Sequence, residues 1–443
     1  MEYCVAGEGL SVRWRAVAAS IAITGLALSD ATARSPQPAV PTSQPAAAIT
    51  TEALAPLPPP IAAMPERAAR VVPVSFADLP GWADDDHLAA FKAFLSSCPR
   101  VQAIAKSPPS GVRPPVPAGL LAACEAALAA GKMSRTDAKA FFERHFQPQR
   151  LVHAAAQGLL TGYYEPLIEG SRTRDGRFQT PLYRRPSDLV NIVDETQRAA
   201  AAGGFTHMRK TTAGLVPHAS RAEIDSGALN GKNLELLYVA DQVDKFFLQV
   251  QGSGRVRLQD GTIIRVHYDG KNGHPYTSIG RYLIDKGMVP ADKMSMGALG
   301  RWLRSDEKRG QQVMQQNASY VFFKELPNDA AAPLGALLAP LTTGRSLAVD
   351  PRFHVLGSPV YVSAPTLTHA QKGRPFHRLM IAHDVGSAIK GPERGDIYFG
   401  SGEAAGRVAG VTKHPGHLFV MSARVPDTEP VAASPPAAKQ AKR

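Results

Sequence analysis

Short hydrophobic runs, separated by turns rich in glycine and aspartate, occupy the chain from about residue 157 to residue 421. Runs of this length with these boundaries are typical of β-strands. The pattern predicts strands at residues 157–164, 234–239, 245–251, 255–258, 262–268, 320–323, 346–349, 359–362, 377–381, 397–399 and 417–421.

Apolar residues three or four positions apart predict helices in other parts of the chain. Leu120, Cys124 and Ala127 follow this spacing, and Ser134 has the character of a new helix start. Helices are predicted at residues 84–97, 118–145, 278–286 and 296–315. Because short strands dominate and do not alternate regularly with helices, the pattern favours a mainly β fold, with barrels decorated by helices, over a parallel doubly wound sheet.

The N-terminal segment has the pattern of an export signal. Arg13 and Arg15 precede an apolar run at residues 16–28, which is too short to span a bilayer comfortably. Residues 31–33, Ala-Thr-Ala, fit the cleavage pattern of a secretory signal peptide. We expect residues 1–33 to be a signal peptide and the protein to reside in the periplasm or at the outer membrane; an uncleaved anchor is the alternative. No cysteine follows the apolar run at a lipidation position, so no lipid anchor is expected.

Proline and alanine dominate residues 34–72 and residues 425–443. Such segments cannot bury enough apolar surface to fold, so we expect a linker and a disordered tail. The formal net charge of +12 suggests an anionic partner or serves solubility alone. Because the chain has no long run of basic residues, a nucleic-acid-binding arm is not expected.

Cysteine and histidine usage limits the chemistry. Of the three cysteines, Cys4 lies in the predicted signal peptide. Cys98 and Cys124 remain, either as a disulfide in an oxidising compartment or as two separately buried thiols. The histidines are scattered, and no cysteine or histidine pair has the spacing of a zinc site. We expect no metal or other cofactor.

Two aspartates twelve positions apart, Asp384 and Asp396, lie in glycine-rich and otherwise apolar surroundings. A carboxylate beside buried strands must be hydrogen-bonded, paired with a cation or kept protonated. A carboxyl group that stays protonated near neutral pH can act as a general acid. This segment is therefore the first candidate for catalysis.

Adjacent tyrosines form the first candidate binding segment. Tyr163 and Tyr164 point to opposite faces of a predicted strand, so one can pack in the core while the other stacks against a sugar. They are equally explained as two ordinary strand tyrosines.

Two more segments combine polar side chains with glycine. Gln249 and Gln251 share one face of the predicted strand 245–251, and the Gly-Ser-Gly that follows either lets a ligand approach the backbone or forms a hairpin turn. Residues 268–276 are rich in Lys, Asn, His and Tyr around an Asn-Gly dipeptide, which indicates a binding loop or a simple hairpin.

These segments together carry a resemblance to a known family. The chain resembles the murein transglycosylase A family of lytic transglycosylases, whose C-terminal part is the three-aspartate domain. The resemblance covers about residues 75–421, and its markers are residues 161–166, 246–255, 268–280, 317–323 and 384–400. It implies a double-psi β-barrel formed by residues 73–166 and 327–424, with a second β-barrel inserted at residues 167–326.

The resemblance also implies roles for individual residues. The three aspartates of the family correspond to Asp350, Asp384 and Asp396, of which Asp396 is the expected catalytic acid. We interpret Asp384 as a catalytic partner that orients or polarises the site, or alternatively as a residue that holds the crossing loops of the barrel together, and Asp350, next to a proline, as mainly structural. The substrate is expected in the groove between the two barrels. The residues expected to contact it are Thr161, Tyr163, Gln251, Gly252, Ser253, Asn272, Gly273, His274 and Lys390.

The implied activity is cleavage of the β-1,4 bond between N-acetylmuramic acid and N-acetylglucosamine in peptidoglycan, with formation of 1,6-anhydromuramic acid. Glycan strands are the expected partner, other cell-wall enzymes are further candidates, and a monomer is expected. Two alternatives stay open at this point. One is an inverting hydrolase in which Asp384 or Asp350 activates water, and the other is a wall-binding module that does not cut glycans.

Overall fold

The computed structural model describes residues 69–107, 116–153, 157–193, 195–327 and 332–425. The predicted signal peptide, most of the predicted linker and nearly all of the predicted tail lie outside the described residues. The strands in the described part are β1 (Arg70–Pro73), β2 (Phe146–Val152), β3 (Gly158–Glu165), β4 (Leu167–Ser171), β5 (Thr180–Tyr183), β6 (Leu189–Asn191), β7 (His207–Thr211), β8 (Gly214–Val216), β9 (Glu235–Val239), β10 (Ser253–Arg257), β11 (Ile263–Lys271), β12 (Val321–Glu325), β13 (Ser346–Val349), β14 (Pro359–Ala364), β15 (Phe376–Val385), β16 (Arg394–Ser401) and β17 (Lys413–Ala423). The helices are α1 (His87–Ala105), α2 (Ala118–Ala129), α3 (Arg135–His145), α4 (Arg221–Asp225), α5 (Gln242–Gln251), α6 (Ile279–Asp285), α7 (Met296–Arg304), α8 (Glu307–Gln315) and α9 (Glu403–Ala409).

Six strands close into a barrel. The order runs β17-β14-β15-β13-β16-β3, and β3 pairs with β17 again. Two neighbouring pairs are parallel, β13 with β15 and β16 with β3. Because β3 precedes the other five strands by a long segment, both parts of the chain contribute to the barrel. The prediction of a mainly β fold containing a barrel is confirmed, and the double-psi path stays a prediction.

Alternate residues of the barrel strands fill its interior, as the pleat requires. Leu160, Leu347, Ile397 and Leu418 share one buried cluster there. Helices α1, α2 and α3 pack outside the barrel in a second cluster, which includes Tyr361 of β14. In that cluster the structure joins Cys98 and Cys124 in a disulfide, the first of the two alternatives that the sequence left open.

The segment between β3 and β13 forms two further sheets. One has six strands in the order β12-β11-β10-β4-β9-β5, and the other has the order β6-β7-β8. The pairings among the described residues leave the six-stranded sheet open, so a closed second barrel stays a prediction. We propose the insert boundaries 167–326, because β4 begins just after β3 ends and β12 is the last strand before the barrel resumes.

Two local predictions are corrected by the structure. Residues 70–72, predicted as the end of the linker, belong to β1, which pairs antiparallel with β2. The β-branched Val71 and Val72 suit such a strand. The predicted strand 245–251 is instead part of helix α5.

The residues that define α5 lie outside the apolar run from which the strand was predicted. The Asp241 side chain accepts a hydrogen bond from the Val243 amide and caps the helix N-terminus. Gly252, with φ of 79°, ends the helix in the left-handed conformation that favours glycine. Gln249 and Gln251 therefore point in different directions, because residues two apart on a helix are about 200° apart around its axis.

Candidate active site

Asp384 and Asp396 lie on either side of the same strand. Ala348 of β13 is in register with Asp384 of β15 on one side and with Asp396 of β16 on the other. Neighbouring strands lie about 4.8 Å apart, so the Cα atoms of the two aspartates are about 10 Å apart. Side chains in register project from the same face of a sheet, so both carboxyl groups can act on one ligand.

A β-bulge turns Asp384 to this face. Leu347 is paired with Ala382, but the next residue, Ala348, is paired with Asp384, so His383 is an extra residue in β15. Ala382 faces the barrel interior, and without the bulge Asp384 would face the same way. The buried His383 ring is hydrogen-bonded to the Ser346 hydroxyl at 2.7 Å, which helps to hold the bulge.

Asp396 has one engaged oxygen and one available oxygen. The Thr161 hydroxyl donates to Oδ1 at 2.5 Å and accepts a hydrogen bond from Nη2 of Arg394 at 2.9 Å. Because threonine has one hydroxyl proton, the Arg394 donor directs that proton to Asp396. No described residue donates to Oδ2. Burial raises the pKa of Asp396, although the Arg394 charge and the Thr161 hydrogen bond oppose that rise.

Asp384 has both oxygens occupied. The amides of Ala336 and Val385 donate to Oδ1, each at 2.9 Å, and the Tyr163 hydroxyl donates to Oδ2 at 3.0 Å. Burial raises the pKa of Asp384 to about 6, and the charge of Asp396 adds to the rise. Near neutral pH Asp384 is therefore mostly a carboxylate, and its oxygens are engaged by protein donors. Its role is therefore to keep a negative charge near Asp396.

We expect Asp384→Asn to remove a pH-dependent part of the stability. The pKa of Asp384 is about 6 in the folded protein against 3.8 for an ordinary aspartate, so folding favours the protonated form. This stabilisation is fully present at low pH and is lost as the pH rises from about 4 to about 6. The stability of the natural protein relative to the variant should fall by about 3 kcal/mol between about pH 3.5 and pH 7.5, measured by urea unfolding.

Asp350 supplies a control, because its contribution to stability should change with pH in the opposite direction. It is fully buried, forms an ion pair with Arg352 at 2.7 Å and accepts a hydrogen bond from the Gly391 amide at 2.8 Å. Burial acts to raise the pKa of Asp350, but these donors outweigh burial and the pKa is lowered. Relative to Asp350→Asn, the natural protein should gain stability as the pH rises. A relative stability of Asp384→Asn that is independent of pH would contradict the account.

The ring of Tyr163 is buried against Tyr398, with centroids 5.3 Å apart, so it is not an exposed stacking platform. Tyr164 is partly buried, and its amide donates to the Gln251 side chain at 3.0 Å. That bond brings the end of α5 to the strand that carries Thr161. Gly252 and Ser253 follow directly on the chain, and Ser253 is buried.

The loop after β11 also approaches the aspartates. Nζ of Lys271 is 3.1 Å from the Ser387 hydroxyl, in the loop that follows Asp384. Burial raises the pKa of Tyr276, and the charge of Asp396 adds to the rise, so this tyrosine is within electrostatic range of the proposed acid. The insert therefore faces the two aspartates through this loop.

Asn272 is completely buried, and its amide is used within the protein. Nδ2 donates to the carbonyl oxygens of Ala219 and Ala318, each at 2.9 Å, and Oδ1 accepts from the Tyr320 amide at 2.8 Å. The structure thus shows Asn272 shaping the loop, and its contact with substrate stays a prediction.

The other predicted binding residues have varied surroundings. Gly273 has φ of 86°, and a Cβ there would lie 2.1 Å from the carbonyl oxygen of His207, so only glycine fits. Nε2 of His274 donates to the carbonyl oxygen of His218 at 2.8 Å. Lys390 is exposed in the loop that precedes Asp396. Their roles as substrate ligands stay predictions.

A buried ion cluster, which the sequence did not indicate, joins the barrel to the insert. Glu165 ends β3 and is completely buried. Arg265 donates to both of its oxygens, at 2.6 and 3.2 Å, and Nε of Arg255 lies 3.5 Å from Oε2. The Ser401 hydroxyl also donates to Oε2, at 2.6 Å, and is 3.2 Å from the hydroxyl of Tyr398. Tyr398 packs against the ring of Tyr163, whose hydroxyl donates to Asp384, so the cluster is connected to the candidate active site.

Two cations near Asp396, which are Arg394 and Lys413, were also not identified from the sequence. Arg394 stands two positions before Asp396, which places both on one strand face, and this spacing was the available signal. Lys413 is exposed and in register with Thr161, so it extends the row that begins at Asp384. That row depends on strand pairing, which the sequence alone does not show. In the described part, no group of three or more acidic, histidine or cysteine side chains is arranged to hold a metal ion.

Two family models match the chain. The MltA specific insert domain matches residues 159–324, and the 3D domain matches residues 345–422. The second range contains Asp350, Asp384 and Asp396. The first range includes Thr161 and all the predicted binding residues of the insert.

Named relatives agree with the family models. Membrane-bound lytic murein transglycosylase A of Escherichia coli K12 is 38% identical over 265 residues, which cover 59% of this chain and 64% of that protein. The chain thus spans slightly less than two thirds of that relative. The crystal structure of a membrane-bound lytic murein transglycosylase from Agrobacterium tumefaciens is 36% identical, with a TM-score of 0.72, over 80% of this chain and 98% of that one. E. coli MltA with bound chitohexaose is 30% identical, with a TM-score of 0.56, over 80% of this chain and 94% of that one.

Proposed function

Because the chain belongs to the membrane-bound lytic murein transglycosylase A family, we propose that it cleaves the β-1,4 bond between N-acetylmuramic acid and N-acetylglucosamine in peptidoglycan. The product is a glycan that ends in 1,6-anhydromuramic acid. The reaction needs one group that first donates a proton and then accepts one.

The different environments of the two aspartates are the observation that carries this proposal. Asp396 has a raised pKa and one oxygen that no described residue engages, as a general acid requires. Asp384 has three donors on its oxygens and is mostly ionised near neutral pH. A single acid therefore fits better than two interchangeable carboxyl groups.

The proton of Asp396 passes from Oδ2 to the glycosidic oxygen as the bond from that oxygen to C1 of the muramyl residue breaks. An oxocarbenium-like centre develops at C1, and the nearby charge of Asp384 stabilises it. The C6 hydroxyl of the same sugar then attacks C1 and returns its proton to Asp396. No water is consumed, so no second carboxyl group is needed to activate it. Thr161 and Arg394 hold Oδ1 throughout.

Glycan strands are the proposed ligand, bound in the groove expected between the barrel and the insert. The relative whose structure contains chitohexaose supports an oligosaccharide ligand for this chain. We assign Thr161, Tyr163, Gln251, Gly252, Ser253, Asn272, Gly273, His274 and Lys390 to that groove, either as contacts or as supports of contacts. The relatives named membrane-bound support a place in the cell envelope. In the described part of the chain, no helix is long and apolar enough to cross a bilayer.

Mass spectrometry of digested sacculi tests the reaction. We expect products that end in 1,6-anhydromuramic acid, which are lighter by one water than the products of hydrolysis. Reducing ends in place of anhydro ends would show an inverting or retaining hydrolase. Binding to sacculi without release of any fragment would show a wall-binding module.

A further inference from the structure

The insert contains a cavity of about 280 Å³ that does not include either aspartate. One part of its wall is apolar, and the other part carries charged or ionisable side chains. The apolar residues are Pro217, Ala219, Ala228 and Leu229, and the others are Arg209, His218, Glu223, Lys232 and His274.

The two permanent cations of the wall lack partners in the part of the chain that the structure describes. Nε of Arg209 is buried without a hydrogen bond, and no described carboxylate pairs with its guanidinium. Lys232 is exposed and likewise unpaired among the described residues. By contrast, Arg265 and Arg345 each bind a carboxylate within the protein. An unsatisfied, partly buried guanidinium is costly, and it is well suited to bind an anion.

The one carboxylate in the wall, Glu223, forms no ion pair with Arg209 or Lys232. Glu223 accepts hydrogen bonds from the amide and the hydroxyl of Ser220, both at 2.7 Å, at the start of α4. His218 is buried, and burial together with Arg209 and Lys232 lowers its pKa, while Asp188 opposes that effect. The cavity therefore favours an anionic group with an apolar neighbour.

A short segment of chain links the cavity to the candidate active site. His274 of its wall follows Lys271 by three residues, which span at most about 11 Å. Lys271 contacts Ser387, in the loop after Asp384. Residues 271–274 therefore connect the cavity to the loop that follows Asp384.

We propose that this cavity binds a carboxylate of the acidic peptide that N-acetylmuramic acid carries in peptidoglycan. Arg209 and Lys232 bind the carboxylate, and the apolar wall contacts the methyl groups of the lactyl and alanyl units. The volume is at the small end for ligand pockets, so it suits one arm of a ligand and not a whole glycan. This assignment rests on the proposed function, because it names a part of the same substrate.

Isothermal titration calorimetry with the tripeptide L-alanyl-γ-D-glutamyl-diaminopimelic acid tests the assignment. We expect the full chain to bind it, and Arg209→Gln and Lys232→Gln each to weaken that binding by about 10-fold, the usual effect of losing one charged hydrogen bond. Chitohexaose carries no peptide, so its affinity should be the same in both variants and in the natural protein. Arg301→Gln and Lys308→Gln change the same charges on exposed positions outside the cavity and should leave tripeptide binding unchanged.

Several outcomes separate this inference from the proposed function. The inference is overturned if the natural protein does not bind the tripeptide, or if Arg209→Gln and Lys232→Gln both bind it as tightly as the natural protein does. Equal affinity for inorganic phosphate overturns the peptide assignment, because it shows a general anion site. Lys232 is exposed, so its variant remains a valid test if Arg209→Gln does not fold. If the natural protein releases no anhydro product from sacculi while the tripeptide binds, the proposed function fails and the cavity is left as a peptide-binding site alone.

Discussion

Replacing Asp396 with asparagine is expected to lower the rate of anhydro-product release from sacculi by about 10²–10⁴-fold, the usual contribution of a general acid–base group. The amide has the shape of the carboxyl group but has no acidic proton to give to the glycosidic oxygen. Its oxygen can still accept the Thr161 hydrogen bond, so the local structure should persist. Single-turnover assays on purified glycan strands measure the change in rate.

Two controls separate the loss of the acidic proton from a loss of substrate binding or of structure. Chitohexaose affinity should change by less than about 3-fold in Asp396→Asn, because the substitution removes acidity and not the shape of the site. Asp260→Asn makes the same chemical change in an exposed turn and should leave the rate unchanged. Full activity of Asp396→Asn would show that another group donates the proton.

Replacing Glu165 with glutamine is expected to lower the free energy of unfolding by about 3–5 kcal/mol. The substitution removes the carboxylate that Arg265 and Arg255 share, and leaves two largely buried cations without that charge. It also weakens the hydrogen bond to Ser401 on β16, the barrel strand that carries Asp396. Urea unfolding at neutral pH measures the loss.

The matched control lies one strand away. Glu169 on β4 pairs with Arg177 and Arg257 at the surface, where its side chain is 49% exposed. Glu169→Gln should cost no more than about 1 kcal/mol, because exposed ion pairs contribute little. Equal losses in the two variants would show that the burial of Glu165 has no special role in joining the barrel to the insert.

Much of the fold could be predicted from the sequence, because barrel strands with one buried face carry a regular apolar pattern. The predicted strand at residues 346–349 has the same bounds in the structure, and β14, β15, β16 and β17 each contain a predicted strand. Helix α5 was misassigned because its apolar run is short, and such runs do not separate helix from strand. Asp241 and Gly252, which cap the helix, were the signals that favoured it.

The candidate site was predicted only in part, because its chemistry depends on strand register. The motifs pointed to Asp396 and Thr161, and the structure joins the two by a hydrogen bond. The bulge at His383 that turns Asp384 outward has no local sequence signal, since it is defined by the pairing of β15 with β13. The Glu165 cluster depends on contacts between residues about 100 positions or more apart, so it too could not be read from spacing.

A crystal structure of Asp396→Asn with a bound glycan that alternates N-acetylglucosamine and N-acetylmuramic acid would show directly whether Asp396 is the acid. We expect a glycosidic oxygen about 2.6–3.2 Å from the side-chain atom at the Oδ2 position of residue 396. Thr161 should still bond the other atom of that side chain. A scissile oxygen placed instead beside Asp384, or a glycan bound away from both residues, would contradict Asp396 as the acid.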